Sequence, residues 1–494
     1  MTKKDLKPER VFHFFSEINN IPRPSKHEEQ MIAYLKAFGE SRALETVIDE
    51  AGNVLIRKPA TAGMENKPAI VLQSHMDMVC DKLVDYDIDF LKDPIKSYID
   101  GEWLKAEGTT LGADDGIGCA IELALLDADN IEHGPLECLF TRDEETGLTG
   151  AHSLKDDMLH GTMLLNLDSE DEGLFYVSCA GGKTTTATWK FSTVVPQDNG
   201  NFVDSSTDER LFFLQASIKG LTGGHSGDDI NKKRANAIKL LARFLYLEQQ
   251  KMTVRLASFN SGRLHNAIPR DGSITFAVPF SEKEMARVDW NIFCSEAEEE
   301  FHVTEPSMNW NMESTDAKPL MPADISKKII LALQAVDNGV FSIVQDTILG
   351  DITETSSNLA SIITTDTECS ITCSQRSSVM SNLTNMVNTV RSVFELAGAD
   401  SIAHSDGYPA WKMRTDSHLR TVAVQCYQKL FNKDPKVIGI HAGLECGLFA
   451  ERYPNLDMLS IGPTMRGVHS PDERLLIPTV DKIWQLVTEI IKNI

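Results

Sequence analysis

Three short apolar segments in the first third of the chain are each followed, within two residues, by an acidic residue or a histidine. These segments are AIVLQ at 69–73, ECLFT at 137–141 and MLLNL at 163–167. Short apolar runs bounded by polar residues are typical of strands that are covered on both faces of a sheet. Residues 117–126, between the first two, have the apolar density of a packed helix. This alternation predicts an α/β domain with a mostly parallel central sheet flanked by helices.

The chain has 494 residues, which is more than the roughly 250–300 residues that one core usually accommodates. From about residue 183 to 399 the pattern changes to longer alternating strands, such as 184–191 and 211–218, and to helices with basic faces, such as 232–247. We therefore expect an α+β insertion at 187–402, with the α/β domain formed by 1–186 and 403–494. The polar stretch 197–210 is expected to be a loop or hairpin tip, and Thr479 is expected to cap the last helix.

Charge and cysteine content exclude several classes of protein. The formal net charge is −24, and an acidic surface repels phosphate backbones and anionic lipids, so neither nucleic acid nor membrane is an expected partner. The nine cysteines are scattered, without a CxxC pair, which indicates reduced thiols in a cytoplasmic protein. The charged N-terminal sequence has no apolar core of a signal peptide, and no stretch approaches the roughly 18 apolar residues of a membrane span.

Two polar clusters come from the first strand and from the start of the following helix. In an extended chain, residues i and i+2 point to the same side, so Asp77 can orient His75 and fix its tautomer for metal binding. A purely structural His–Asp pair has the same sequence pattern. The segment GADDG at 112–116 places Asp114 and Asp115 before an apolar helix. These acids either cap the helix N-terminus or bind a metal ion.

Three further clusters complete the set. Asp143, Glu144 and Glu145 follow the second strand, where neighbouring carboxylates repel one another unless the loop is solvated or a cation is present. One of two adjacent glutamates can bind a metal while the other acts as a base. Asp168 follows the third strand, and His469 lies in a loop near the C-terminus.

Taken together, these clusters predict a hydrolytic metal site. Three of the five lie at the carboxyl ends of strands, where open α/β sheets bind their ligands. Carboxylate and imidazole ligands without thiolates suit zinc, cobalt or manganese. Three ligand carboxylates, two divalent cations and one hydroxide have no net charge, whereas a single metal would leave an excess of negative charge. The composition of the site therefore favours two metals.

The same motifs resemble the metallopeptidases that include aminoacylases, carboxypeptidase G and carnosinases, and in particular their aminoacyl-histidine dipeptidase branch. The resemblance covers the full length of the chain, beginning with VFHFFSEINNIPRPSKHEEQM at 11–31. It is carried by SHMDMVC at 74–80, TTLGADDGIG at 109–118, TRDEETGLTGA at 141–151, GLTGGHSG at 220–227, HAGLECG at 441–447 and RGVHSPDE at 466–473.

The resemblance implies a metal-dependent dipeptidase that acts on Xaa-His and other dipeptides, with a lid and dimerisation domain formed by the insertion. The two metals would be zinc, with cobalt or manganese as alternatives. A hydroxide that bridges them would attack the peptide bond, with Glu144 as the general base. The implied metal ligands are His75 and Asp168 for one ion, Glu145 and His469 for the other, and Asp114 as the bridge. The implied roles of the remaining residues are orientation of His75 for Asp77, oxyanion stabilisation for His225, and substrate binding for Asn266, Arg376, Gly443 and Glu445.

Several alternatives stay open at this point. Asp115 instead of Asp114 could bridge the metals. His225 has an alternative reading as a residue that caps backbone groups, Arg376 as half of an ion pair, and Asn266 as a turn residue. Some relatives dimerise through the lid and exchange the lid histidine, whereas others carry a duplicated lid. The insertion is long enough for two similar units, and we expect a homodimer.

Three rival functions fit parts of the pattern. A two-metal phosphoesterase would need cationic groups beside the motifs, and few are present. A metal-dependent amidase that acts on acylated amino acids would use the same ligands and the same base. A non-catalytic metal-binding scaffold would usually have lost a ligand or the base, and this chain retains all of them.

Overall fold

The computed structural model describes residues 6–194, 203–204, 209–346 and 348–494. The chain divides into two compact units. The first unit comprises Met1–Cys179, Trp411–Gly439 and Leu444–Ile494, and the second comprises Ala180–Ala410 and Ile440–Gly443. The predicted boundaries at 186 and 402 fall inside two strands of the second unit, Gly181–Lys190 and Ser401–His404.

The helices are α1 Glu9–Ile18, α2 Glu29–Ser41, α3 Ala113–Asp127, α4 Glu144–Gly147, α5 Thr149–Ser153, α6 Ala237–Gln249, α7 Lys283–Phe301, α8 Ala323–Ala335, α9 Met380–Leu396, α10 His418–Phe431, α11 Glu445–Arg452 and α12 Ile477–Asn493. The strands are β1 Glu45–Ile48, β2 Val54–Lys58, β3 Ile70–His75, β4 Ser97–Asp100, β5 Trp103–Ala106, β6 Leu136–Thr141, β7 Met163–Asn166, β8 Leu174–Cys179, β9 Gly181–Lys190, β10 Val203–Asp204, β11 Glu209–Lys219, β12 Gly224–His225, β13 Arg255–Ser261, β14 Ala267–Ile268, β15 Gly272–Pro279, β16 Asn309–Ser314, β17 Gly339–Asp346, β18 Gly350–Thr364, β19 Glu368–Ser377, β20 Ser401–His404, β21 Lys436–Ile440, β22 Asp457–Ser460, β23 Met465–Arg466 and β24 Arg474–Leu476.

The first unit is built on an eight-stranded sheet with the order β1-β2-β6-β3-β7-β22-β8-β21. Its centre is parallel, because β6, β3, β7 and β22 pair in the same direction. Helix α3 packs on β3, and α10 packs on β22. All six residues of β3 and all six of β6 are buried, as expected for strands covered on both faces. The predicted α/β architecture is confirmed.

The three apolar segments of the sequence form neighbouring strands, β6, β3 and β7. In the register of these strands, His75 lies opposite Thr141, and Gln73 lies opposite Asn166. Because the strands are parallel, the residues that follow them emerge at one edge of the sheet. The residues at 75–77, 143–145 and 168 therefore lie at the same edge of the sheet.

The second unit has an α+β fold, as predicted, and contains two similar repeats. Each repeat has the element order strand–helix–strand–strand–helix–strand. In the first repeat these elements are β11, α6, β13, β15, α7 and β16, and in the second they are β9, α8, β18, β19, α9 and β20. In both repeats the first strand pairs antiparallel with the third and fourth, and the second pairs antiparallel with the third. Strands β13 and β18 join the repeats in one sheet.

Two predicted helix starts are wrong. Helix α6 begins at Ala237 instead of residue 232, because the Asn236 side chain accepts hydrogen bonds from the N–H groups of Ile238 and Lys239 and caps the helix there. Helix α12 begins at Ile477, with Pro478 in its first turn, so Thr479 is not the cap. Its hydroxyl donates to the carbonyl of Leu476 instead.

Most of the polar stretch 197–210 lies outside the described residues. Within it, Val203 and Asp204 pair antiparallel with Arg210 and Glu209. Among the described residues, no helix combines the length and the apolarity needed to cross a membrane.

Candidate metal centre

The predicted metal ligands lie close together at the edge of the first unit's sheet where the parallel strands end. His75 is the last residue of β3, and Asp168 lies just beyond β7. Glu145 lies in the short helix α4, which follows β6. Asp114 lies in the first turn of α3, and His469 lies in the loop between β23 and β24. His469 has a φ of 62°, a left-handed conformation that is uncommon outside glycine and recurs at functional sites.

Asp114 lies between the two histidines, with one carboxylate oxygen facing each of them. Its Oδ1 is 3.1 Å from Nε2 of His75, and its Oδ2 is 3.1 Å from Nε2 of His469. The same nitrogen of His75 is 3.6 Å from Oδ1 of Asp168, and that of His469 is 3.0 Å from Oε2 of Glu145. The side chains therefore form two half-sites, one with Asp168 and one with Glu145, that share Asp114.

The neighbouring Asp115 has different surroundings. It is fully buried, and its Oδ1 accepts a hydrogen bond of 3.1 Å from the N–H of Gly118. Asp114 and Asp115 have non-helical backbone angles, and the peptide bond between them is cis. Asp115 thus caps the regular part of α3 in the manner of an N-cap residue, whereas the side chain of Asp114 faces the histidines.

Asp77 connects His75 to the turn that carries the glutamates. Its Oδ1 is 3.4 Å from Nδ1 of His75. The same carboxylate accepts hydrogen bonds from the N–H groups of Glu144 at 3.0 Å and Glu145 at 3.3 Å, and from the hydroxyl of Ser25 at 2.7 Å. Asp77 is fully buried, so one buried carboxylate contacts both the ring of His75 and the backbone at the start of α4.

Burial and the closeness of several carboxyl groups shift the pKa values in this cluster. Burial raises the pKa of Asp168 to about 7, and it raises the pKa of Glu144 well above its usual range with a contribution from Glu145 and Asp168. Burial lowers the pKa of His469, but the carboxylates of Asp114 and Glu145 outweigh it and raise the value to about 11. These carboxyl groups are therefore stabilised in their charged form only when positive charge lies close to them.

The donor set fits divalent metal ions. Ligand atoms of His75, Asp114 and Glu145 all lie within 4.8 Å of one another. Among the described residues, Asp114, Glu145 and Asp168 form ion pairs with the two histidines and with no lysine or arginine. Buried carboxylates without such partners are unfavourable unless a cation compensates them. Imidazole and carboxylate ligands are those that zinc, cobalt and manganese accept.

Glu445 lies beneath the same edge. It is fully buried, and its Oε2 accepts hydrogen bonds from Nε2 of Gln73 at 2.6 Å and from the hydroxyl of Thr141 at 2.7 Å. Gln73 lies on β3, two residues before His75, and Thr141 is the last residue of β6, two residues before Asp143. Burial raises the pKa of Glu445 to about 8. Its motif partner Gly443 belongs to the second unit, where a Cβ atom would lie 2.6 Å from the ring of Tyr408.

The second unit brings His225, Arg376 and Asn266 together. Strand β12 carries His225 and pairs with β14, and the carbonyl of Asn266, just before β14, accepts a hydrogen bond of 2.8 Å from the N–H of Ser226. Nη2 of Arg376 is 3.4 Å from Nε2 of His225, and Nη1 donates to the hydroxyl of Tyr408 at 2.7 Å. Arg376 is only 4% exposed and has no carboxylate partner among the described residues.

The two ring nitrogens of His225 have different neighbours. Its Nδ1 is 3.3 Å from the N–H groups of Gly227 and Asp228 and 3.5 Å from Oδ2 of Asp228. Its Nε2 faces Nη2 of Arg376, and a guanidinium can only donate. The buried Arg376 therefore supplies the positive charge in this group of side chains, which suits an oxygen anion.

Four residues that contact these two groups of side chains or the backbone beside them are not indicated by the sequence pattern. Arg23 and Glu473 are buried charged residues that bind the backbone next to Asp114. Both lie in motifs that carry the family resemblance, but nothing in their sequence pattern indicates a buried position. Tyr408 and His441 are also unforeseen. His441 belongs to the second unit and bonds to the hydroxyl of Ser356 at 2.8 Å.

Comparisons with known proteins agree with the geometry. Residues 71–493 match the family described as peptidase family M20/M25/M40. The chain is 41% identical to the cytosol non-specific dipeptidase of Escherichia coli K12 over 491 residues, which is 99% of this chain and 98% of that protein. The crystal structure of aminoacylhistidine dipeptidase from Vibrio alginolyticus is similar over 100% of this chain and 98% of its own, with 40% identity and a TM-score of 0.84. Aminopeptidase PepT from Bacillus cereus, at 17% identity and a TM-score of 0.56 over 99% of this chain and 98% of its own, shares the fold.

Proposed function

Because this chain belongs to peptidase family M20/M25/M40, we propose that it is a metal-dependent peptidase that hydrolyses dipeptides, including Xaa-His dipeptides. Two relatives that match almost its entire length are named as dipeptidases. The observation that carries the proposal is the position of Asp114, whose two carboxylate oxygens face His75 and His469 at equal distances of 3.1 Å. A shared carboxylate between two half-sites is what a pair of metal ions requires.

The residues of the first unit divide into metal ligands and supporting groups. The proposed ligands are His75 and Asp168 for one ion and Glu145 and His469 for the other, with Asp114 shared. When bound, divalent ions polarise the scissile carbonyl and make water more acidic. Asp77 orients His75 and holds the backbone of the glutamate turn, as its hydrogen bonds indicate.

Glu144 is the proposed general base. Its backbone N–H is held by Asp77 at 3.0 Å, and its carboxyl group is close enough to His75 and Asp168 for their charges to affect it. Burial and the neighbouring carboxylates raise its pKa well above the usual range for glutamate, and a higher pKa makes the carboxylate a stronger base. Glu144 would take a proton from the attacking water and pass it to the leaving amine.

Groups of the second unit are proposed to recognise the substrate. Nε2–H of His225 would donate to the oxyanion, an interaction typically worth about 3 kcal/mol. Arg376 and Asn266 would bind the terminal carboxylate of the dipeptide, and Gly443 would contact the substrate, as would Glu445 of the first unit. Support for Arg376 comes from its burial and from its neutral partner, Tyr408. A buried guanidinium without a carboxylate partner is available for an anionic ligand.

Replacing Arg376 by alanine is expected to raise KM for dipeptides by roughly 10- to 100-fold, because a hydrogen bond to a charged group contributes about 1.5–3 kcal/mol. The corresponding dipeptide amides, which lack the carboxylate, should lose much less. The matched control is Arg243→Ala, which removes an arginine paired with Glu300 on the surface of the same unit. An equal loss for dipeptides and their amides would refute the carboxylate assignment.

Zinc, a cytoplasmic location and a homodimer are the narrower parts of the proposal. The donor set supports zinc, with cobalt and manganese as alternatives. All nine cysteines are free, which agrees with a reducing compartment. The homodimer rests on the family resemblance, because the second unit already provides two copies of the strand–helix unit within one chain.

The remaining candidate function is hydrolysis of acylated amino acids by the same metal centre. The experiment that separates the two is a parallel assay of the metal-loaded protein on dipeptides, including one with C-terminal histidine, and on the matching N-acetyl amino acids. We expect higher kcat/KM for the dipeptides. A clear preference for the N-acetyl compounds would replace the dipeptidase proposal with the amidase.

A further inference from the structure

Glu473 holds the backbone turn that leads into Asp114. It is 2% exposed. Its Oε2 accepts hydrogen bonds from the N–H groups of Leu111 at 2.7 Å and Gly112 at 3.0 Å. Its Oε1 accepts from the N–H groups of Ala113 at 2.8 Å and Asp114 at 3.4 Å. One carboxylate therefore binds four successive backbone N–H groups.

The four N–H groups match the accepting positions of a carboxylate, and although burial raises the pKa of Glu473, these backbone hydrogen bonds favour its charged form. A carboxylate is the side-chain group that accepts hydrogen bonds on both oxygens and donates none. The four N–H groups lie at the start of α3, where the helix dipole favours negative charge. A glutamine at the same position would keep one acceptor and would direct an NH2 group toward two backbone donors.

Arg23 binds the opposite side of the same turn. It is 1% exposed, and its Nη2 donates to the carbonyl of Gly112 at 2.5 Å. Its Nη1 donates to the carbonyls of Met76 at 3.1 Å and Asp77 at 2.7 Å. Gly112 has a φ of 67°, and a Cβ atom there would lie 2.6 Å from Nη2, so this close approach depends on glycine.

The two charged residues connect Asp114 to different parts of the centre. Arg23 joins the turn to the segment that directly follows His75. Glu473 joins it to the loop that carries His469, which lies four positions earlier in the sequence. Asp114 and His469 are 3.1 Å apart in the structure, although 355 positions separate them in the sequence. Glu473 connects the two segments that carry them through its hydrogen bonds to residues 111–114.

We propose that Glu473 is a positioning residue for the bridging carboxylate. By binding the Leu111–Asp114 backbone against Arg23, it holds Asp114 at the half-site formed by His469 and Glu145. It acts through the backbone, because both of its oxygens accept from backbone N–H groups. This inference rests on the two-metal site proposed above.

The test is Glu473→Gln, with zinc binding to the metal-stripped full-length protein measured by competition with a chromogenic chelator. We expect one of the two equivalents to weaken by roughly 10- to 100-fold, the range seen when a group that orients metal ligands is removed. The other should keep its affinity, because the half-site of His75 and Asp168 remains linked to the turn through Arg23. The matched control is Glu172→Gln, which removes a carboxylate that accepts from Tyr427 and Lys482 in the same unit. It should bind both equivalents as the unmodified chain does.

Two results would overturn the positioning role. One is unchanged affinity for both equivalents in Glu473→Gln. The other is a parallel loss of both equivalents, which a general loss of structure would cause. If the glutamine variant does not fold, Glu473→Asp, whose shorter carboxylate cannot reach all four N–H groups, is measured with the same two criteria. An unmodified chain that binds fewer than two equivalents would instead refute the two-metal site itself.

Discussion

Replacing Glu144 by glutamine lowers kcat for dipeptides by about 10²–10⁴, the usual contribution of a general base, while two metal equivalents stay bound. The amide keeps the size of the side chain, and the backbone N–H of residue 144 still donates to Asp77. What the variant loses is the carboxylate that we propose accepts the proton from water. Steady-state kinetics together with metal analysis of the purified protein measures both parts of this result.

The adjacent Glu145 provides the matched control. Its Oε2 is 3.0 Å from His469, so Glu145→Gln should lose a metal equivalent together with activity. The two variants make the same chemical change at neighbouring positions and differ in what they should do to metal content. Loss of metal in Glu144→Gln, or full activity in that variant, would contradict the assignment of the base.

Replacing Asp114 by asparagine has the other large effect. Asp114 is shared by both half-sites, so its loss should weaken metal binding by at least about 100-fold, more than the 10- to 100-fold typical of groups behind the ligands. Activity should fall with it, because neither half-site keeps its shared carboxylate. Chelator competition with the metal-free protein measures the affinity.

Asp115→Asn is the control for this variant. Its side chain caps α3 through the N–H of Gly118, and the oxygen of asparagine can accept the same hydrogen bond. This variant should therefore bind both metal equivalents. The opposite pattern, with metal lost from Asp115→Asn and kept in Asp114→Asn, would move the bridge by one residue.

The position of the metal site follows from local sequence patterns. The apolar segments before His75, Asp143 and Asp168 have the length and composition of buried strands, and parallel strands place their carboxyl ends at one edge. His469 and Asp114 do not follow strands of this sheet. Their roles as ligands are implied by the family resemblance, and the structure places both beside the strand-end residues.

Other features depend on contacts between distant segments and have no local signal. Strand β9 pairs with β19 and β20, far along the chain, so the interleaved order of the two repeats is absent from any short window of sequence. Residues 440–443 belong to the second unit although the residues on both sides of them do not. The burial of Arg23 and Glu473 is equally non-local, because charged side chains are usually exposed.

The most direct test of the two-metal dipeptidase is a titration of the chelator-stripped protein with zinc, in which dipeptide hydrolysis is measured against metal bound per chain. We expect no activity without metal and full activity when two equivalents are bound. Hydrolysis by the stripped protein, or no dipeptide cleavage with both equivalents in place, would contradict it.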